Sequence, residues 1–326
     1  MSGKKKTQAR RKFLKLAGAA GAAGAAALLA GCGDQSTETK EAGAPAILRK
    51  KRRLKMVTTW QKNFPGAGTG AERLAKRIYE LTEGRIEIKV YGAGELVPAF
   101  SAFDAVAAGK ADIYHGAEYY WQGKSRAFNF FAAIPFGMTT TELAAWIYHD
   151  GGQELWDQLS ARFGIKPLMA GSTGPQMGGW FRKEMNSVDD FKGLRIRIPG
   201  LGGEVMSRLG ATPVTKAGGE IFLALSQGNV DASEWVGPWN DLAFGFHTII
   251  EYYYYPGIHE PGTALGVGIN KELWEDLTDH DRAAFENAAG AETIYMRSEY
   301  EAENGKALRT LIDDHGVKLR RFSDDI

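Results

Sequence analysis

Two arginines on one short segment are the residues of this sequence best suited to bind an anion. Arg195 and Arg197 alternate with aliphatic residues over 194–198, and this period of two predicts a strand with both guanidinium groups on one face. An arginine at the end of a strand can bind a carboxylate through two parallel hydrogen bonds. The same pattern fits two solvent-facing arginines on a half-exposed strand, so the spacing alone leaves both interpretations open.

A second polar segment, residues 171–180, combines glycines with a serine, a threonine, a glutamine and a tryptophan. It follows a predicted strand at 166–171, so its side chains lie at a strand-to-loop boundary, where binding residues are often presented. Ser172 is a conceivable nucleophile, but the G-x-S-x-G elbow and an assignable base are both missing. We interpret the segment as a loop without catalytic function.

The sequence lacks the common catalytic and metal-binding motifs. HExxH, CxxC and Walker motifs are absent, and the six histidines lie singly, with His247 and His259 too far apart for one helical face. Glycines at 66, 68 and 70 follow a predicted strand, but their GxGxG spacing differs from the GxGxxG dinucleotide fingerprint, and no acid ends the next strand. We therefore expect neither zinc nor a nucleotide, and we interpret these glycines as a turn near a ligand cleft.

Hydrophobic periodicity predicts alternating strands and helices that would position these residues. An extended run at 54–59 precedes a helix at 71–82, in which Leu74, Ile78 and Leu81 share one face. The pattern continues with strands at 85–90, 112–114, 166–171, 194–198, 212–215 and 252–255, helices at 100–109, 203–209 and 220–227, and a long polar helix at 292–314. The predicted fold class is α/β.

The first 31 residues are typical of an export signal. They hold seven basic residues and no acid, and end in an Ala/Gly/Leu run shorter than the roughly 20 residues that cross a bilayer. Arg10-Arg11 resembles the twin-arginine motif, and Leu29–Cys32 resembles a lipobox. We predict a signal peptide at 1–31, a lipid on Cys32 and a tether at 32–53. A signal-peptidase site with an incidental cysteine is the alternative.

Composition limits the classes of partner. Without the first 31 residues the chain has 33 basic and 39 acidic residues, so nothing indicates binding to nucleic acid. Cys32 is the one cysteine, so no internal disulfide can form. The remaining chain is long enough for two domains with sizeable cores.

Five segments, in chain order, resemble the solute-binding subunit of tripartite ATP-independent periplasmic (TRAP) transporters. Within that family they are most similar to the branch that binds 2-oxo acids and related monocarboxylates. The resemblance runs from about Leu54 to the end of the chain, and it is carried by Gly94–Phe100, Tyr119–Lys124, Gly174–Arg182, Lys192–Arg197 and Gln227–Asp241.

The resemblance implies roles for individual residues. Arg197, the last residue of the Lys192–Arg197 segment, would bind the substrate carboxylate, and Arg195 would be a solvent or structural residue. In this branch a sodium ion, or calcium in a related member, helps to hold the substrate. Its ligands here would be Gln176, Glu234 and the carbonyl of Trp235, with Gln176 also near the substrate. Oxygen donors of this kind suit a hard cation.

Three further residues are candidates for the ligand cleft. Tyr120 would donate a hydroxyl to the ligand, although Tyr119 fits that role equally well and either ring fits a core position. Asn240 lies in the last of the five segments. His259 is the third candidate, with a structural, hydrogen-bonded histidine as its alternative.

The resemblance also implies an architecture and partners. We expect a two-domain, periplasmic-binding-protein-like clamshell with a cleft between domains and a long helix that spans both. Domain I would comprise 54–150 and about 237–262, and domain II 151–236 and about 263–326. The chain would deliver its ligand to TRAP membrane subunits at the outer face of the inner membrane. Ile326 lies before the usual family C-terminus, so a homodimer is an open expectation. An exported enzyme and a ligand-presenting sensor are the alternatives.

Overall fold

The computed structural model describes residues 51–326. The predicted signal peptide, Cys32 and nearly all of the predicted tether lie outside the described residues. No helix within 51–326 is both long and apolar enough to cross a membrane.

Strands and helices alternate along most of the described chain. The strands are β1 (Arg52–Thr58), β2 (Ile86–Tyr91), β3 (Ile113–Gly116), β4 (Ile165–Gly174), β5 (Gly179–Phe181), β6 (Arg195–Arg197), β7 (Thr212–Val214), β8 (Ala232–Ser233), β9 (Tyr252–Tyr255), β10 (Thr263–Asn270) and β11 (Lys318–Arg321). The α-helices are α1 (Ala67–Leu81), α2 (Ala102–Ala107), α3 (Thr140–His149), α4 (Gly152–Ala161), α5 (Gly200–Arg208), α6 (Gly218–Ser226), α7 (Pro238–Phe244), α8 (Lys271–Asp276) and α9 (Asp279–Asp313). Short 3₁₀ turns include Glu118–Trp121. The predicted α/β class is confirmed.

The strands form two sheets, and each sheet is the centre of one lobe. Lobe I is built on the sheet β2-β1-β3-β10-β4, in which β1, β2 and β3 are parallel and β10 is antiparallel to both of its neighbours. Lobe II is built on the sheet β11-β9-β5-β8-β6-β7. The chain crosses between the lobes several times.

The predicted domain boundaries need correction at three strands. We placed β4 and β10 in domain II, but both pair within the lobe I sheet. We placed β9 in domain I, but it pairs with β5 and β11 in the lobe II sheet. Hydrophobic periodicity identifies a strand but not its partner, because pairing is decided by contacts between segments far apart in the chain.

Helix α9 packs against both lobes. It begins after Thr278, whose hydroxyl accepts a hydrogen bond from the backbone N–H of Asp281, and it runs for 35 residues, so it starts 13 positions before the prediction. Phe285 lies in the hydrophobic core of lobe I, and Leu311 lies in a core cluster that includes Trp180 of lobe II. The expectation that a long helix spans both domains is confirmed.

The glycines at 68 and 70 lie inside helix α1 and not in the predicted turn. A Cβ atom on Gly70 would lie 2.3 Å from Cε of Met296 on α9. A Cβ atom on Gly68 would lie 2.5 Å from the carbonyl oxygen of Gln61. Gly68 therefore needs glycine because the backbone of the preceding loop approaches it, whereas at Gly70 the close atoms are side-chain ends of helix α9.

Candidate ligand-binding site

A cavity between the two lobes contains four of the predicted site residues. It is narrow in this structure, with a volume of about 10 Å³, which is room for about one water molecule. Lobe I contributes residues that follow β1, β3 and β4, and lobe II contributes the segment after β8. The lining consists of Trp60, Ala67, Tyr119, Tyr120, Thr173, Gln176, Trp235, Val236, Asn240, Thr263, Leu265 and Tyr300. The cavity therefore has a mainly apolar, aromatic-rich wall with a few convergent polar groups, which is typical of sites for small organic ligands.

Arg197 lies behind the Trp235 wall and is 1% exposed. Its guanidinium carbon lies 5.0 Å from the centre of the Trp235 ring. Nε and Nη2 donate to the carbonyl oxygen of Lys216, at 3.1 and 3.0 Å, and Nη1 donates to the Glu234 carboxylate at 2.5 Å. Burial acts to lower the pKa of Arg197, but the charge of Glu234 and the nearby Tyr119 and Tyr120 together outweigh it, so the pKa is raised. The guanidinium is held from two sides and stays charged.

Arg195, two residues earlier on β6, has a different environment. Its side chain is about half exposed and forms an ion pair with Asp231 at 2.6 Å. The alternation of the strand puts both arginines on one face, but the strand runs from the surface into the interior, so only Arg197 is buried. Arg195 is thus a surface residue that forms an ion pair, whereas Arg197, two residues later, is buried.

Glu234 links Arg197 to His259. Its carboxylate is 1% exposed, and its second oxygen lies 3.2 Å from Nε2 of His259. Burial acts to lower the pKa of His259, but the hydrogen bond and charge of Glu234 dominate, so the pKa is raised. His259 therefore lies in a buried network and does not line the cavity.

Gln176 presents an unpaired oxygen inside the site. Its Nε2 donates to Glu260 at 2.7 Å and to the hydroxyl of Thr263 at 3.3 Å, whereas its Oε1 is buried without a hydrogen-bond partner among the described residues. Burial raises the pKa of Glu260 to about 7, and the nearby charge of Glu234 adds to that shift. An unpaired buried carbonyl oxygen costs free energy unless a donor or a cation satisfies it.

The donor set fits a hard cation. Among residues 51–326, one cluster of three acidic or histidine side chains, Glu234, His259 and Glu260, has ligand atoms within 4.8 Å of one another. The orphaned Oε1 of Gln176 belongs to the same network, because Gln176 bonds directly to Glu260. Carboxylate and amide oxygens are the ligands that such cations prefer. Gln176, Glu234 and the adjacent Trp235 would hold the cation, and it would supply positive charge for an anionic ligand.

Both tyrosines of the predicted alternative line the cavity. Tyr119 is buried, and Tyr120 packs between Phe100, at 4.8 Å between ring centres, and Trp60, at 6.3 Å. Burial raises the pKa of Tyr120 to about 12, and its hydroxyl interacts with the Arg197 guanidinium, which opposes that rise. Tyr120 is thus the tyrosine that connects the cavity to the buried Arg197 guanidinium.

Asn240 has a bridging position. Its Nδ2 donates to the carbonyl of Pro65 at 3.1 Å, and its Oδ1 accepts from the hydroxyl of Tyr300 on α9 at 2.8 Å. Because both ends of its amide are engaged, Asn240 joins α7 of lobe II to the start of α1 and to α9. It shapes the wall of the cavity.

Several residues of the site were not predicted from the sequence. Glu260 is the most important of them, since it is a second buried carboxyl group beside Gln176. One signal was available, because Glu260 follows His259 in a polar segment just before strand β10. The others are aromatic or small and resemble core residues in the sequence: Trp60, Thr173, Thr263 and Tyr300.

The sequence model of one family, bacterial extracellular solute-binding protein family 7 (DctP), matches residues 56–326. This chain belongs to that family. A relative from Nostoc sp. (strain PCC 7120), a monocarboxylate 2-oxoacid-binding periplasmic protein, is 43% identical over 298 residues, which cover 91% of this chain and 80% of the relative. The predicted family, and with it the periplasmic class of protein, is confirmed.

Two solved TRAP periplasmic solute-binding proteins have the same fold as this family member. One, from Pseudoalteromonas atlantica T6c, contains bound sodium and pyruvate; it is 40% identical with a TM-score of 0.82, over 85% of this chain and 84% of that one. The other, from Colwellia psychrerythraea, contains bound calcium and pyruvate; it is 41% identical with a TM-score of 0.82, over 85% and 84% of the two chains. The two-domain clamshell is confirmed.

The family excludes one of the alternative functions named above. Its members are substrate-binding proteins of TRAP transporters and not enzymes, so this TRAP solute-binding protein is not the exported enzyme considered as an alternative. The two cations predicted from the resemblance, sodium and calcium, are the ones bound in the two solved neighbours.

Proposed function

We propose that this protein binds a small 2-oxo acid or related monocarboxylate, with pyruvate as the simplest candidate, and delivers it to the membrane subunits of a TRAP transporter. The observation that carries the proposal is the buried Arg197 guanidinium behind a cavity that both lobes line. The ligands of the Nostoc relative and of the two solved neighbours support the same chemical class.

Charge balance favours capture of the acid together with a cation. Arg197 and Glu234 already form a buried pair of opposite charges. An added carboxylate alone would leave one buried negative charge without a partner, which is costly. A cation on the oxygens of Gln176, Glu234 and Trp235 would compensate that charge. It would also attract the Glu234 carboxylate and release one edge of the guanidinium for the ligand.

The other contacts of Arg197 keep it in place during this exchange. The Lys216 carbonyl holds Nε and Nη2, while Nη1 is the nitrogen that contacts Glu234. Only the Nη1 side therefore has to change partner. A guanidinium that is already oriented loses little conformational entropy when the carboxylate binds, which favours affinity.

Cation dependence is the first test. Calorimetric titration with pyruvate is expected to show an affinity about 5–150-fold higher in sodium or calcium than in a bulky organic cation at equal ionic strength. Linkage requires that pyruvate raise the cation affinity by the same factor, so the reverse titration is an internal check. Acetate, which lacks the keto oxygen, is the matched control ligand, and longer 2-oxo acids measure the size limit of the cavity. Equal pyruvate affinities with and without the cation would refute co-binding.

Location is a second part of the proposal. We infer export by a twin-arginine-type signal and attachment to the outer face of the inner membrane through lipid on Cys32. Cys32→Ser is expected to move the protein from the membrane fraction to the soluble periplasmic fraction, because a single cysteine carries the anchor. Fractionation with mass spectrometry of the mature N-terminus measures this. Persistence of the Cys32→Ser variant in the membrane fraction would argue against the anchor.

The macromolecular partners follow from the same proposal. Delivery to TRAP membrane subunits accounts for a binding protein that is kept near the membrane. A homodimer remains a prediction, and sedimentation of the mature protein with and without pyruvate would test it.

A further inference from the structure

A buried carboxyl group in lobe I lies under the turn that carries the two cavity tyrosines. Glu118 is fully buried and is the first residue of the 3₁₀ turn Glu118–Trp121. Tyr119 and Tyr120, the next two residues of that turn, line the cavity. The hydroxyl of Tyr114 donates to Oε1 of Glu118 at 2.8 Å, and Oε2 has no hydrogen-bond partner within residues 51–326. The carboxyl group has no part in the site described above.

In the part of the chain that the structure describes, the elements packed around this carboxyl group bring no positive charge to it. Strand β3 contributes the Tyr114 hydroxyl, and β10 contributes Gly266, where an added Cβ atom would lie 2.7 Å from Oε1 of Glu118. The same Cβ atom would lie 3.0 Å from the Trp156 ring of α4, whose indole N–H is also buried without a partner among these residues. His115, the neighbour of Tyr114, instead bonds to Trp60 and to the Ala170 carbonyl.

Burial raises the pKa of Glu118 to about 8, and the Tyr114 hydrogen bond opposes that rise. The group is therefore neutral at pH 7. Ionisation in this apolar setting leaves a buried charge that only one hydroxyl stabilises, which is unfavourable. Because Glu118 is covalently continuous with Tyr119 and Tyr120, any displacement that hydrates the charged carboxylate displaces both rings.

We propose that Glu118 is a positioning residue for the ligand site, whose neutral carboxyl group holds the Glu118–Trp121 turn so that the Tyr120 hydroxyl stays beside Arg197. The inference rests on the proposed carboxylate-binding role of the cavity. Lobe I thereby contributes to the environment of a guanidinium that belongs to lobe II, and that contribution depends on one carboxyl group remaining uncharged.

The test is the pH profile of pyruvate binding, measured by calorimetry from pH 6.5 to 9.5 at constant sodium. The wild-type affinity is expected to fall about tenfold for each pH unit above about 8, because only the protonated form is competent to bind. Glu118→Gln mimics the neutral acid, so its affinity is expected to match wild type at pH 7 and to stay level. Tyr114→Phe removes the bond that lowers the pKa of Glu118, so its alkaline midpoint is expected to move upward.

Two outcomes would overturn the proposal. One is a wild-type affinity that stays constant to pH 9.5, and the other is an alkaline loss that Glu118→Gln retains. Tryptophan fluorescence without ligand gives a second readout, because Trp121 and Trp156 pack near the turn. An alkaline fluorescence transition is expected in wild type and not in Glu118→Gln. If wild type fails to bind any small acid at pH 7, the proposed function fails, while the fluorescence transition still decides the role of Glu118.

Folding of the variant is checked by thermal melting. The pKa of Glu118 is higher in the folded chain than its usual value, so the folded state binds more protons than the unfolded state between about pH 4.5 and about 8. Wild-type stability from this group therefore falls as the pH rises through that range. Glu118→Gln is expected to melt at or above the wild-type temperature at pH 8, so its binding at alkaline pH is measured on a folded chain.

Discussion

Arg197→Met is expected to lower the affinity for pyruvate by about 2–5 kcal/mol, a factor of about 30 to several thousand. Methionine keeps much of the side-chain volume but removes every donor that faces Glu234 and Lys216. A carboxylate that enters the site would then be buried without a cationic partner from the protein. Calorimetry at saturating sodium measures the change.

The matched control for this variant lies two residues away. Arg195→Met removes an arginine from the same strand and the same face, but its partner, Asp231, is a surface residue and the side chain does not reach the cavity. Exposed ion pairs contribute about 1 kcal/mol or less. We expect pyruvate affinity within about twofold of wild type and a small change in melting temperature. A loss of affinity as large as that of Arg197→Met would show that the strand, and not the guanidinium, is responsible.

Folding has to be separated from binding in Arg197→Met, because the substitution leaves Glu234 buried without its ion-pair partner. That imbalance is expected to cost about 3–5 kcal/mol of stability. The double variant Arg197→Met with Glu234→Gln removes both charges and is expected to regain much of this stability while still failing to bind pyruvate. A double-mutant cycle of melting free energies isolates the pair interaction. A folded Arg197→Met protein that binds pyruvate like wild type would refute the proposal that Arg197 binds the carboxylate.

The two arginines show how far sequence reasoning reaches in this protein. Alternation over 194–198 correctly placed Arg195 and Arg197 on one face, because side chains alternate on any strand. Burial differs between them because β6 pairs with β7 and β8 and enters the centre of lobe II only at its end. That difference depends on strands 15 to 40 residues away, so the local pattern could not reveal it. The family resemblance distinguished the two arginines where periodicity did not.

The buried cluster of Glu234, His259 and Glu260 shows the opposite limit of sequence reasoning. Gln176 bonds to Glu260, and Glu260 lies in one cluster with Glu234 and His259, whose ligand atoms are within 4.8 Å of one another. Glu260 was missed because a single glutamate in a loop is usually exposed, whereas here it is buried against Gln176 and Thr263. The predicted domain boundaries failed for a similar reason, because the pairing of β10 with β3 and of β9 with β5 also joins segments far apart in the chain. Long-range contacts thus account for both kinds of error.

Glu234→Gln is expected to remove the cation dependence of binding. Glutamine keeps the shape of the side chain and an acceptor oxygen, but it no longer neutralises Arg197, whose guanidinium then lies buried without its ion-pair partner. A carboxylate ligand would itself supply the missing negative charge, so sodium is not needed to release the guanidinium. We expect the difference in pyruvate affinity with and without sodium to fall to about twofold or less. Parallel calorimetric titrations measure it.

His259 gives a second measurement on the same variant. Glu234 raises the pKa of His259 against the effect of burial, so the pKa is expected to fall in Glu234→Gln, as NMR titration of the imidazole would show. A histidine whose folded pKa lies above its unfolded value adds stability that is fully present below the unfolded pKa, about 6.5, and lost as the pH rises through the folded pKa. The interaction with His259 contributes to the difference in free energy of unfolding between wild type and Glu234→Gln. That contribution is therefore expected to shrink above about pH 6.5.

Asp231→Asn is the matched control for Glu234→Gln, because it also neutralises an acid paired with an arginine of β6 but does so at the surface. It is expected to keep the sodium dependence of wild type. If Glu234→Gln kept that dependence as well, the cation would have to act through oxygens other than the Glu234 carboxylate. The proposal that Glu234 changes partner from Arg197 to the cation would then be wrong, even if pyruvate still binds at Arg197. Glu234→Gln and Asp231→Asn together distinguish binding of the carboxylate by Arg197 from the effect of the cation on Glu234.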